Sequence, residues 1–155
     1  MKTKLTLLIF MIISIKSFSQ SKIETVKQIN HLLAKAVGGS DTISIKGKTS
    51  AFVIKSNTFA VDADGKSAHF TVKMIGHDGF ESSSTTTSII SDWKGFKINP
   101  AIKSRTLKSV YPVFQKRKNE PDNDKNGIKH YCIAGDEKNL IASLAHLESL
   151  YSKSK

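Results

Sequence analysis

Hydrophobic residues recur at helical spacing near both ends of the chain, and between these two stretches they alternate with polar residues as they do in strands. Ser21 followed three residues later by Glu24 forms a capping box, and Gly38 and Gly39 stop the pattern. A first helix is therefore predicted over about residues 22–36. Its predicted buried stripe consists of Ile23, Val26, Ile29, Leu33 and Val37.

The C-terminal stretch predicts a second helix. Asp136 is a suitable N-cap residue, and leucines follow it at spacings of three and four residues. A helix that buries such a stripe packs against the rest of the fold. The predicted stripe consists of Leu140, Leu144, Leu147 and Tyr151, with Ile141 and Leu150 beside it.

The region between the helices predicts a series of short strands joined by tight turns. Asp64-Gly65 and Asp78-Gly79 are hairpin dipeptides, and Pro112 predicts that its strand lies at a sheet edge. The Ser/Thr-rich stretch at 82–88 also favours a strand, because threonine suits a pleated surface. The predicted strands cover residues 51–55, 58–61, 68–74, 80–90, 93–98, 107–116 and 128–133.

Sequential strands between two helices, without alternation of strand and helix, predict an α+β fold. We expect an antiparallel β-meander of six to eight strands, folded as a roll or a partly open barrel. The N-terminal and C-terminal helices are expected to pack on this meander.

The first nineteen residues have the pattern of an export signal. Lys2 and Lys4 give a positive start, residues 5–15 are almost entirely apolar, and Ser17-Phe18-Ser19 matches the small, any, small pattern of a signal peptidase site. The sequence therefore predicts a signal peptide over residues 1–19 and a mature protein in the periplasm or outside the cell.

The order of these elements resembles a group of small exported Bacteroidetes proteins, mostly uncharacterised. The resemblance rests on the presequence ending FSQ, on ETVKQINHLL at residues 24–33, and on LIASLAHLESLY at residues 140–151. It implies a β-roll like that of pleckstrin-homology (PH) domains, capped by a helix. It implies no catalytic residues.

Length and charge limit the possible partners. Residues 20–155 are enough for a single α+β domain, and loss of Lys2, Lys4 and Lys16 with the presequence lowers the net charge from +11 to +8. A basic protein favours anionic partners, so an anionic envelope component or an acidic protein is expected. Nucleic acid is disfavoured, because the basic residues are spread singly and the compartment contains little of it.

The single cysteine, Cys132, leaves no intramolecular disulfide and no lipoprotein anchor at the cleavage site. No later stretch is long and apolar enough to predict a transmembrane helix. His130 and Cys132 alternate onto one strand face, where a direct hydrogen bond between them is awkward. Cys132 is therefore interpreted as a small core residue and not as a nucleophile.

Asp122, Asp124 and Asn126, followed by Gly127, reproduce the first half of a calcium-binding loop. The closing glutamate is missing, because the twelfth position is Ile133. A polar hairpin loop without metal is therefore the preferred interpretation, and no cofactor is predicted.

Thr42 is a candidate modification site. Asp41-Thr42-Ile43 resembles the short sequon at which exported Bacteroidetes proteins are O-glycosylated, and its place after the first helix predicts an exposed linker.

The sequence contains no recognisable catalytic motif, so it favours a non-enzymatic exported binding module with an unknown ligand. Two alternatives stay open. One is a periplasmic inhibitor or immunity protein, and the other is a small hydrolase that acts on an envelope polymer.

Overall fold

The computed structural model describes residues 21–45, 48–100, 102, 104–114 and 130–152. The predicted signal peptide and the calcium half-motif lie outside these residues. The described elements, in chain order, are helix α1 (Lys22–Ala34), strands β1 (Ser40–Ile45), β2 (Lys48–Val61), β3 (Ser67–Gly76) and β4 (Glu81–Ile89), a 3-10 turn (Ile90–Asp92), strands β5 (Trp93–Ile98), β6 (Leu107–Phe114) and β7 (His130–Ile133), and helix α2 (Glu137–Ser152).

The strands form two antiparallel sheets, one with the order β1-β2-β3-β4 and one with the order β5-β6-β7. Within each sheet, strands that are consecutive in the chain pair with each other, as in a meander, whereas β4 and β5 belong to different sheets. The α+β class and its two helices are confirmed. The strands that the structure describes do not close into a barrel.

Helix α1 begins with the predicted capping box. The backbone N–H of Glu24 donates to Ser21 Oγ at 3.1 Å, and the backbone N–H of Ser21 donates to Glu24 Oε2 at 2.9 Å. The predicted buried stripe was wrong at both ends, because Ile23 is 69% and Val37 45% exposed. The buried residues of the helix are Thr25, Ile29, Leu32 and Leu33.

The buried face of α1 is rotated from the predicted stripe and includes Thr25. Thr25 can be buried because its hydroxyl forms a hydrogen bond within the helix. Thr25 Oγ1 donates to the carbonyl oxygen of Ser21 at 3.1 Å. A hydrogen-bonded hydroxyl is buried at little cost, so hydrophobicity alone did not identify the buried face.

The prediction of two separate strands at residues 51–55 and 58–61 was wrong, because both stretches belong to the single strand β2. A bulge between Ile54 and Ser56 interrupts the register, and the strand continues through the polar residues that had suggested a break. Asn57 is buried there, and its amide nitrogen donates to the carbonyl oxygens of Leu33 at 3.1 Å and Tyr131 at 2.6 Å. This side chain therefore connects β2 with α1 and β7.

The β2–β3 hairpin turns at Asp64-Gly65 as predicted. Gly65 has a φ of 71°, and a Cβ at this position would collide with the ring of Tyr151 in α2. Glycine is therefore required both by the turn and by the close approach of the last helix.

The prediction that Pro112 marks an edge strand was wrong. Its strand, β6, is the central strand of the second sheet. Pro112 pairs with Phe96 of β5, whereas the pairing with β7 runs only from Leu107 to Val110. The missing N–H of Pro112 therefore lies beyond the described pairing with β7.

Two groups of buried side chains form the core. The larger group receives side chains from both sheets and both helices, and it includes the predicted α2 residues Leu140, Leu144 and Leu147. The smaller group draws on both sheets and their connections, and α2 contributes no residue to it. Its members are Ala36, Phe52, Ile54, Val72, Ile102, Leu107 and Tyr131.

Neither α1 nor α2 is long and apolar enough to cross a membrane, and this holds for every helix in the described part of the chain.

Candidate functional site

Strand β4 lies at one edge of the four-stranded sheet and is largely exposed to solvent. It pairs with β3 on one side only, and no described strand pairs with its other edge. Glu81 and residues 82–85 are exposed on both faces of the strand. Two large hydrophobic side chains lie at its ends, with Phe80 70% and Ile89 48% exposed.

Three features of β4 distinguish it from protected edge strands. It has nine residues, the stretch between Glu81 and Ile89 has neither charge nor proline, and its pairing with β3 contains no bulge. By contrast, the edge strand β5 carries Lys94 and Lys97 and a bulge, and the edge strand β7 has four residues. Charges, bulges and short length are the usual means by which an edge strand avoids pairing with another chain.

The solvent face of β3 and β4 carries a chain of hydrogen-bonded side chains. His69 in β3 contacts Thr87 Oγ1 through Nδ1 at 2.9 Å and Asp62 Oδ1 through Nε2 at 2.8 Å. Two residues further along, the hydroxyls of Thr71 and Thr85 lie 2.9 Å apart. An acid, an imidazole and a hydroxyl in this order can transfer a proton from the hydroxyl to the imidazole.

Sequence reasoning missed the Asp62–His69–Thr87 chain because three elements supply it. The Asp64-Gly65 turn predicted the hairpin that brings Asp62 near His69. Only the register between β3 and β4, in which His69 is directly opposite Thr87, completes the chain. That register follows from the whole sheet and has no local sequence pattern.

The pair His130 and Cys132 lies in the core, as the interpretation of Cys132 required. His130 is 1% and Cys132 0% exposed. Burial, with a smaller contribution from the Glu137 and Asp136 charges, raises the pKa of the Cys132 thiol to about 12. The thiol therefore stays protonated near neutral pH and is a poor nucleophile.

Thr42 is exposed, as expected for a modification site, but it lies in β1 and not in a linker. The prediction of a linker failed because residues 40–45 pair along β2 in regular register. Thr42 also lines a cavity of about 330 Å³, together with Ser40, Asp41, Ala51 and Ser104.

The calcium half-motif, Asp122, Asp124 and Asn126, lies outside the described residues. Among the side chains that the structure describes, no group of three or more histidine, cysteine, aspartate or glutamate residues is arranged to hold a metal ion.

Comparison with protein-family models, with curated proteins and with solved structures finds no match for this chain.

Proposed function

We propose that this chain is an exported, non-enzymatic binding module that recognises a partner protein by adding an extended segment of that partner to β4. The supporting observation is the unprotected edge of β4. Backbone N–H and C=O groups along such an edge bind any segment that can adopt an extended conformation, and the flanking side chains select among segments.

The side chains around β4 indicate what kind of segment fits. Phe80 and Ile89 are nine residues apart, which is about 30 Å along a strand. A segment of nine or ten residues with an apolar residue near each end therefore covers both. Small polar residues suit its middle, because β4 offers serine and threonine there. The net charge of +8 that remains after loss of the presequence favours an acidic partner protein.

The order of the elements supports a more specific fold within the α+β class, a PH-like roll. Four consecutive strands in one sheet, three in the next and a final helix are the arrangement that such a roll requires. The proposed binding edge does not depend on this assignment, because it rests on the exposure and pairing of β4 alone.

The proposal can be tested with nine-residue peptides selected from a random displayed library on the purified protein. Hydrogen exchange of the complex is expected to show new protection of β4 amides. Protection confined to another element contradicts the proposal. Sedimentation of the protein alone is expected to show a monomer, and a dimer that protects β4 shows that the partner is a second copy.

Two proline variants provide the matched control. Successive N–H groups in a strand point to opposite edges, so one of Ser83→Pro and Ser84→Pro removes a hydrogen bond to β3 and the other removes an N–H on the open edge. We expect one variant to lose thermal stability. The other is expected to keep its melting temperature but lose the selected peptides.

The periplasmic inhibitor or immunity protein is a special case of the same proposal, in which the partner is a toxic enzyme. A peptide from that enzyme's sequence would then compete with the library peptides for β4.

The Asp62–His69–Thr87 chain supports a second candidate, the small hydrolase. Turnover of a simple ester such as p-nitrophenyl acetate, measured for Thr87→Val and for Thr85→Val, separates the two functions. A hydrolase loses activity only with Thr87→Val. A binding module shows the same slow background rate for both variants and for the unchanged protein.

A further inference from the structure

Two backbone hydrogen bonds, one at each end of the β3–β4 ladder, show which residues of β4 face β3. The N–H of Gly76 donates to the carbonyl oxygen of Phe80 at 2.8 Å, and the N–H of Ile90 donates to that of Lys66 at 2.9 Å. Both pairs continue the regular β3–β4 register, in which hydrogen-bonded pairs alternate with pairs that are not hydrogen-bonded. The even-numbered residues of β4 are therefore the ones that bond to β3.

The odd-numbered residues of β4 consequently direct their N–H and C=O groups to the open edge, where the added segment binds. These residues are Glu81, Ser83, Thr85, Thr87 and Ile89. Their side chains lie beside those of β3 on the solvent face of the sheet, as the contact of Thr87 with His69 shows. Ser83→Pro is therefore the variant that removes an N–H from the open edge, and Ser84→Pro the one that removes a hydrogen bond to β3.

Lys73 of β3 carries a charge that a segment bound at this edge can reach. It is exposed and directly opposite Ser83, and among the residues that the structure describes it has no ion-pair partner. Neighbouring strands lie about 4.8 Å apart, so about 10 Å separates β3 from the added segment. An extended lysine and a carboxylate side chain together span this distance, and the small side chain of Ser83 leaves the path between them clear.

The neighbouring positions along β4 favour a carboxylate less. Opposite Thr87, the imidazole of His69 already contacts Asp62 Oδ1 at 2.8 Å. At the other end of the row, Glu81 repels a carboxylate placed opposite it. Ser83 is therefore the position at which the surroundings select for negative charge.

We propose that the partner segment carries an aspartate or glutamate directly opposite Ser83, and that this carboxylate pairs with Lys73. The inference rests on the proposed function, because it specifies one residue of the segment that is added to β4. Opposite charges that face each other on a sheet attract, and like charges repel. Lys73 therefore fixes the register of the segment as well as its charge.

Parallel selections from the displayed nine-residue library test the proposal on the unchanged protein, on Lys73→Glu and on Lys97→Glu. Lys97 is exposed on β5, so Lys97→Glu is the matched control with the same change in net charge. Among peptides that protect β4 amides, we expect one position to be acidic for the unchanged protein and for Lys97→Glu, and basic for Lys73→Glu. Lys73→Glu is expected to keep its melting temperature, because the side chain it replaces is exposed.

A charge exchange with one synthetic selected peptide measures the size of the effect. Replacement of the peptide's carboxylate by lysine is expected to weaken binding to the unchanged protein about fivefold and to strengthen binding to Lys73→Glu by a similar factor. Peptides that protect β4 but bind Lys73→Glu as well as the unchanged protein overturn this inference and leave the proposed function standing. An equal loss with Lys97→Glu also overturns it, because net charge alone then attracts the peptide. If no peptide protects β4, both proposals are overturned.

Discussion

Phe70 in β3 and His130 in β7 lie face to face in the interior, with ring centroids 3.2 Å apart and ring planes within 11° of parallel. The first residue belongs to the four-stranded sheet and the second to the three-stranded sheet. The stacked pair therefore joins the two sheets directly. Phe70 also contacts Phe59 at 4.5 Å and Trp93 at 6.3 Å between ring centroids, which places it at the centre of an aromatic group.

Phe70→Ala is expected to lower the free energy of unfolding by about 3–5 kcal/mol, because it removes this ring and leaves a cavity between the sheets. Phe80→Ala is the matched control, since Phe80 is 70% exposed and its loss is expected to cost less than about 0.5 kcal/mol. Urea unfolding of both variants measures the difference. Equal costs would show that the two sheets do not meet at Phe70.

Local patterns predicted most of the secondary structure of the described residues. The capping box at Ser21, the hairpin turn at Gly65 and the leucine stripe around Leu144 each depend on residues within one or two turns of each other. The incorrect predictions concern the burial of polar residues, which depends on whether their hydrogen bonds are satisfied. Thr25 is buried because its hydroxyl is satisfied within α1, and Asn57 is buried because Leu33 and Tyr131 supply distant carbonyl groups.

The candidate sites were beyond the reach of sequence patterns, because residues that are distant in the chain form them. His69 and Thr87 meet only through the register of β3 with β4. The unpaired edge of β4 was also not predictable from the sequence, because its serine and threonine residues are compatible with a central strand as well as with an edge strand.

Leu144→Ala is expected to cost about 2–5 kcal/mol of stability, since Leu144 is fully buried in the middle of the α2 stripe. Lys138→Ala, on the exposed side of the same helix, is expected to change stability by less than about 0.5 kcal/mol. Urea unfolding compares the two. If Leu144→Ala costs no more than Lys138→Ala, helix α2 does not pack on the sheets as described.

Calcium is expected to leave the melting temperature nearly unchanged, because the loop with Asp122 and Asp124 lacks a closing glutamate. The measurement is a thermal melt with and without millimolar calcium. A rise of several degrees that Asp124→Ala abolishes would show that the loop binds the ion after all.

The presequence is expected to be removed after Ser19, so that the exported protein begins at Gln20. The intact mass of the protein isolated from the envelope or the medium measures this directly. A chain that still begins at Met1 in those fractions would contradict the export prediction, and with it the compartment in which the proposed partner is sought.

The free energy of unfolding is expected to fall as the pH rises above 9, because Cys132 and Tyr131 both hold their protons more tightly in the folded protein. The pKa of Cys132 rises from its ordinary value of 9.0 to about 12, and that of Tyr131 rises from 10.0 to about 12. Well below pH 9 both groups are protonated in both states and contribute nothing to the pH dependence. Between pH 9 and 12 the unfolded chain loses these protons first, so unfolding becomes more favourable.

Cys132→Val removes the thiol at similar volume and tests this prediction by urea unfolding at a series of pH values. The free energy of unfolding of the variant is expected to fall less steeply than that of the unchanged protein, and the fall is expected to begin nearer pH 10. Identical pH profiles for the two proteins would show that the thiol is not buried in its protonated form.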